Sequence, residues 1–189
     1  MAANMRAFIA IELSPGIKNQ LSLFIKRLDK GDRKVKWANE SGMHLTLKFL
    51  GEISENQKDS ITQAMDRAAV HFEPFLLAFS GTGYFPANRK RPRILWCGIE
   101  AEDVLKSLHS ILEQELEKIG FPREDRDFHP HITLGRVKVP QGLEPIIRVL
   151  EDSSGTSFGS KTVDRFVLVK STLRPTGAEY SNIYEVLLK

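Results

Sequence analysis

Two four-residue stretches carry side chains whose types and spacing can do chemistry: His44-Leu45-Thr46-Leu47 and His131-Ile132-Thr133-Leu134. Successive side chains of a β-strand point to opposite faces. In each stretch His and Thr, two positions apart, share one face, and the two aliphatic residues share the other. Each stretch then reads as a strand with an apolar back and a front bearing one imidazole and one hydroxyl. Two such fronts around one point would supply two groups that titrate near neutrality and two hydroxyl donors. That is a site for acid–base chemistry on a phosphate, and it needs no metal. A single His-x-Thr says little, because a strand histidine bonded to a backbone group is the commoner situation. The pair says more, because its surroundings repeat in the same frame.

The motifs lie 87 positions apart, from 44 to 131. The same offset carries Ile9-Ala10-Ile11-Glu12 onto Trp96-Cys97-Gly98-Ile99, both in apolar runs, and Glu40 onto Asp127. It also carries the helical stretch after Ser14 onto the one after Ala101. Internal repetition of this kind marks a duplicated unit, here roughly residues 5–87 and 92–174, with one catalytic strand in each copy. The copies differ at one matching place, where Phe49 stands in the first and Arg136 in the second. Arg136 is suited to holding a phosphate and Phe49 to stacking on a flat ring; a structural role stays open for each.

The elements that must position these residues follow from apolar periodicity. Residues 5–13 read as a buried strand. Ser14 and Pro15 give an N-cap and a first helical residue, and Ile17, Leu21, Phe24, Ile25 and Leu28 form one helical stripe. Residues 32–36 lead to Trp37, and the first motif strand spans about 43–51. Ser54 and Gln57 form a capping-box pattern before a helix with Ile61, Ala64, Met65, Ala68 and Phe72 facing inward. Residues 75–79 read as a strand running into Gly81-Thr82-Gly83-Tyr84-Phe85. Those glycines precede neither Gly-Lys-Ser/Thr nor a helix, so they do not form a triphosphate loop. Residues 94–99 are an apolar strand, and 102–119 a helix burying Val104, Leu105, Leu108, Ile111, Leu112, Leu116 and Ile119, with His109 at the surface. The second motif strand begins near Phe128. A short helix over 141–152, one long strand region over 157–171, a turn at 175–177 and a final strand over 180–188 complete the chain.

A length of 189 residues, a hydrophobic fraction of 41% and a charged fraction of 27% suit one soluble domain of two lobes covering 1–189. The formal charge of +3 permits a polyanionic partner without demanding one. Cys97 is the only cysteine, which rules out an intrachain disulfide and fits a reducing compartment. No run approaches the ~18 apolar residues of a membrane span, and the N-terminus lacks a signal-peptide pattern. A cytoplasmic, monomeric protein is expected. The basic run 88–93 links the halves as a solvated loop or as a contact to the phosphates of a polyanionic partner. Asp127, His129 and His131 share a face by period 2 and raise a metal-ligand reading, weakened because the matching Glu40, Gly42 and His44 lack the extra imidazole.

The chain resembles the two-histidine phosphoesterases, most closely the bacterial and archaeal RNA 2′,3′-cyclic phosphodiesterases, also called 2′-5′ RNA ligases. The matching residues are His44-Leu-Thr-Leu-Lys-Phe-Leu-Gly51, Gly83-Tyr-Phe85, Arg91-Pro-Arg-Ile-Leu-Trp96, Phe128-His-Pro-His-Ile-Thr-Leu-Gly-Arg136 and Ser171-Thr-Leu-Arg-Pro175. Alternation of strands and helices alone would suggest a parallel sheet. The duplication and the resemblance imply instead an α+β fold, a duplicated β-α-β-α-β unit with one added strand. Its two pseudo-symmetric lobes of antiparallel sheet would carry outer helices and a central active-site cleft. The resemblance further implies His44 as general acid, His131 as general base, Thr46, Thr133 and Arg136 on the phosphate, Phe49 on the substrate, and no metal or other cofactor. The implied substrate is RNA with a 2′,3′-cyclic phosphate end, opened to a 2′-phosphate, with weak 2′-5′ ligation as the reverse reaction. Two alternatives are a phosphodiesterase for 2′-5′-linked oligonucleotides or small cyclic nucleotides, and a non-catalytic binder of RNA ends.

Overall fold

Apolar periodicity sets the order of elements. In the computed structural model, which describes residues 4–88, 91–100, 103–175 and 177–189, the first half runs β1 (Met5–Glu12), α1 (Pro15–Leu28), β2 (Val35–Trp37), a 3-10 turn (Glu40–Gly42), β3 (His44–Ile53), α2 (Glu55–Ala69) and β4 (Phe75–Phe85). The second half runs β5 (Ile94–Glu100), α3 (Asp103–Glu117), β6 (His131–Val137), α4 (Glu144–Asp152), β7 (Ser157–Val163), β8 (Arg165–Arg174) and β9 (Gly177–Leu187). The strands form two sheets, in the orders β3-β1-β8-β9 and β2-β6-β5-β4-β7, and every pairing is antiparallel. The fold is thus α+β with antiparallel sheets, and the parallel default fails. Helices lie between strands that do not neighbour each other in the same direction.

The 87-residue offset maps β1 onto β5, α1 onto α3, β3 onto β6, α2 onto α4 and β4 onto β8. Under that mapping the two sheets share one strand order, but the last repeat strand is exchanged. β4 leaves the first half to pair with β5, and β8 returns from the second half to pair with β1. Residues 157–171 are therefore not one strand region. They divide at Asp164 into β7 and β8, which belong to different sheets. The Asp164 carboxylate accepts two bonds from Arg165, whose third contact is Glu185 on β9. Outside the repeat stand β2, β7 and β9, three strands rather than one.

The helices cover the apolar backs of the sheets. Ser14 Oγ accepts from the Ile17 amide at 3.4 Å, Pro15 opens α1, and Ile17, Leu21, Phe24, Ile25 and Leu28 are all buried. Full burial of such side chains contributes roughly 1.5–3 kcal/mol each, far more than the propensity of an isolated helix of this length. The Ser54 amide donates to Gln57 Oε1 at 2.9 Å, closing the expected capping box. In α2, Ile61, Ala64, Met65 and Ala68 are buried, whereas Phe72 lies beyond the helix end and is half-buried. In α3 the buried stripe is Leu105, Leu108, Leu112 and Leu116. Val104, in the first turn at the rim of this stripe, is 37% exposed rather than buried. Glu102 of the expected helix, Arg89 and Lys90 of the basic run and Thr176 of the expected turn lie outside the described residues. A single core joins the backs of both sheets to the helices, and a small separate cluster of Phe8, Ala10, Val167 and Val169 lines the other face of the first sheet.

Candidate active site

The His/Thr fronts are shaped by matching irregularities in the two motif strands. In β3, Thr46 pairs with Ala10 and Lys48 with Ile9, so Leu47 is an extra residue, a β-bulge. In β6, Thr133 pairs with Trp96 and Gly135 with Leu95, so Leu134 is the extra residue, 87 positions on. Each bulge reverses the alternation beyond it. Lys48 turns to the buried side, opposite Ile9, and Phe49 comes round to face Phe8 on the same side as His44 and Thr46. Gly135 likewise turns inward, where a Cβ would meet Val35 and Trp37 at 2.6–2.9 Å. Arg136 comes round beside Ile94, on the side of His131 and Thr133. Phe49 (61% exposed) and Arg136 are thus both held on the motif fronts.

The two motif strands approach each other although they belong to different sheets: Cα atoms of β3 and β6 come within 8 Å of each other. His44 and His131 are each half-buried. The His44 ring stacks on Phe8 at 4.5 Å between centroids and meets the Tyr180 ring at 5.4 Å, nearly perpendicular. Phe85 lies edge-on to His131 at 5.4 Å and 5.2 Å from Trp96. Trp96 lies over Gly83, where any Cβ would come within 2.4 Å of the indole. Gly83, beyond the strand expected over 75–79, is thus a residue of β4 kept small by that ring. His131 Nδ1 lies 2.8 Å from the His129 carbonyl oxygen. A carbonyl only accepts, so Nδ1 carries the hydrogen and Nε2 is the nitrogen free to exchange a proton. Neither Thr46 nor Thr133 has its hydroxyl engaged by another group among the described residues.

Both imidazoles are held below the ordinary histidine range. Burial, then the charges of Lys18 and Arg136, push His44 down to about 4. Burial also lowers His131; the bond to the His129 carbonyl works the other way, and the charges of Arg136 and His129 add to the lowering. Arg136 is therefore felt by both histidines. Among the described residues it is the cation that links the two fronts electrostatically.

Other candidates fall elsewhere. β6 begins at His131, so Asp127 and His129 lie in the irregular segment before it. Among the described residues no three His, Cys, Asp or Glu side chains converge as metal ligands. Cys97 is buried, and burial pushes its thiol up to about 12. His109 is not a surface residue. It stacks on Phe128 at 3.9 Å and faces Glu113 at 3.8 Å, because Phe128 folds back over α3 on its way to β6. The sequence reading missed the aromatic walls Phe8, Tyr180, Phe85 and Trp96. Period 2 along β1, which puts Phe8 and Ala10 on the face of Glu12, could have found the first of these.

Known proteins resemble this chain over most of its length. The family model of the 2′-5′ RNA ligase superfamily matches residues 17–174, and the chain belongs to that superfamily. It is 40% identical over 182 residues to the RNA 2′,3′-cyclic phosphodiesterase of Thermotoga maritima, covering 96% of this chain and 94% of that protein. It is 32% identical over 179 residues to the protein of the same name from Methanothermobacter thermautotrophicus, covering 95% and 96%. Among solved structures, TT0787 of Thermus thermophilus superposes with a TM-score of 0.82 at 30% identity, covering 97% of this chain and 98% of that one. E. coli LigT complexed with 3′-AMP shares the fold, with a TM-score of 0.82 at 24% identity over 99% of both chains. No helix among the described residues is long and apolar enough to cross a membrane.

Proposed function

We propose that this protein opens RNA 2′,3′-cyclic phosphate ends to 2′-phosphates by metal-independent, paired-histidine catalysis. The supporting observation is the pair of half-buried imidazoles on motif strands that approach each other, with the Arg136 charge acting on both. In the forward reaction water attacks phosphorus while His131 Nε2 takes its proton. The bond from phosphorus to O3′ breaks, and His44 gives its proton to that oxygen. The acid and base roles follow the family resemblance. Thr46 and Thr133 donate to the non-bridging oxygens, where negative charge is held in the transition state, and Arg136 supplies a charge-assisted contact. Phe49 stacks on the terminal base. Ligation is not this hydrolysis run backwards: with an RNA 5′-hydroxyl attacking in place of water, the same steps leave a 2′-5′ linkage. The test is turnover of a short RNA ending in a 2′,3′-cyclic phosphate, with product analysis and with excess chelator. A 2′-phosphate product formed at an undiminished rate is expected; loss of turnover on chelation, restored by one divalent ion, would overturn the metal-independent mechanism.

The depressed imidazoles have a consequence for pH. The productive free protein holds one neutral and one protonated histidine, and kcat/KM reports the free protein. Both limbs of the kcat/KM profile are therefore expected below the ordinary imidazole pKa of ~6.5, as values belonging to the coupled pair. The bound phosphodiester anion counteracts Lys18 and Arg136 and favours protonation, so the limbs of the kcat profile are expected at higher pH. Limbs of kcat/KM at or above neutrality would contradict the ligand-free electrostatics.

The hydroxyls have their own test. Thr→Ser at 46 and 133 keeps the donor, whereas Thr→Val keeps the shape and removes it. Ser is expected to retain more kcat than Val at both positions. The reverse order would make the threonines packing residues.

A further inference from the structure

Beyond the bulge of β3, Lys48 enters the interior, where it is 3% exposed. Its Nζ lies 2.7 Å from Glu113 Oε1 on α3 and donates to Glu113 Oε2 at 2.9 Å and to the Pro122 carbonyl at 2.7 Å. Glu113 Oε2 also accepts from the Glu124 amide at 3.0 Å. One buried ion pair therefore grips two points of the segment 121–130, which contains no helix or strand. A third point is held by His109, which faces Glu113 and stacks on Phe128. The segment then delivers His129, whose carbonyl orients His131. At its other end the pair begins two residues from Thr46. The bulge that turns Phe49 outward is the same one that turns Lys48 inward.

A buried ion pair is poor evidence for stability, since well-packed neutral side chains in its place are often as stable. The repeat reinforces the point: Gly135, the counterpart of Lys48, sits under Val35 and Trp37 with no charge at all. Bonds that span from one motif strand to the approach of the other have a different use. We propose that Lys48 and Glu113 are positioning residues for catalysis, tying the first histidine strand to the segment that sets the orientation of His131. This rests on the paired-histidine reading above.

The test compares Lys48→Met, Glu113→Gln and the double variant in the full-length protein. Each single variant strands a buried charge and is expected to lower Tm. In the double variant, the amide side chain introduced at position 113 can still accept from the Glu124 amide, while the side-chain bonds from β3 to Glu113 and to the Pro122 carbonyl are gone. The expected result is a Tm restored toward wild type, a kcat lower by about tenfold or more, and KM changed by less than about twofold. The His131 Nδ1 proton and nitrogen resonances are expected to shift as the bond to the His129 carbonyl loosens. Recovery of kcat together with Tm, or unmoved His131 resonances, would overturn the inference and leave the pair as packing. Glu113→Asp, which keeps both charges and shortens the link, is expected to lower kcat in the same sense, and wild-type kcat there would also overturn it. Should the wild-type protein not turn over the cyclic phosphate, the proposed function fails, and the His131 resonances still decide this inference alone.

Discussion

Removing either imidazole is expected to lower kcat by at least about 10²–10⁴-fold, the usual worth of a general acid or base, and an activated leaving group is expected to rescue only one of the two variants. A ribose alkoxide leaves poorly and needs a proton. A phenolate or thiolate does not. A phosphodiester analogue with such a leaving group should largely restore His44→Ala, which lacks the acid. It should not restore His131→Ala, because water must still be deprotonated. On the normal substrate, His44→Ala is expected to lose the alkaline limb of kcat/KM. Rescue of His131→Ala instead would exchange the roles. Equal rescue of both would mean that the imidazoles bind phosphate and that neither acts mainly as a proton donor. Full activity of either variant on the normal substrate would end the paired-histidine mechanism.

Arg136→Ala is expected to cost about 10²–10³-fold in kcat/KM, comparable to the loss of an aligned donor at a developing charge. Arg136→Lys should remain substantially impaired, because a single ammonium does not reproduce a planar fork. The same substitution to alanine has a second, independent signature. The Arg136 charge depresses both His44 and His131, so its removal should raise the titration midpoint of each imidazole in the ligand-free protein, readable by NMR. A rate loss without those shifts would place Arg136 on the substrate but away from the histidines. Neither effect would make it an ordinary surface charge.

The motif strands were legible because their pattern is strict: Leu45, Leu47, Ile132 and Leu134 are all buried, and His44, Thr46, His131 and Thr133 are all half-buried on the opposite side. The helices were legible for the same reason, a stripe of Leu and Ile at helical spacing. The bulges were hidden, because alternation predicts Lys48 on the front and only pairing with β1 shows it turned inward. The offset of 87 placed Phe49 and Arg136 in matching positions without revealing why both reach the front. Also hidden was His109, whose partner Phe128 comes from a segment without periodicity. The exchange of β4 and β8 leaves no mark in the sequence either, since strand order is a property of long-range pairing.

That exchange makes the two histidines inseparable. A fragment carrying His44 but ending before the second half lacks β8, so β1 keeps an open edge and the floor formed by Val167 and Val169 is missing. A fragment carrying only His131 lacks β4, which lies between β5 and β7 in its sheet. Neither motif can be presented on a finished sheet until both halves of the chain exist. Folding must therefore close contacts between residues far apart in the chain, such as Arg6 with Ser171, which makes for slow, all-or-none assembly. Under such a constraint the acid and the base arrive together, and neither half-chain offers an open sheet edge a stable existence of its own.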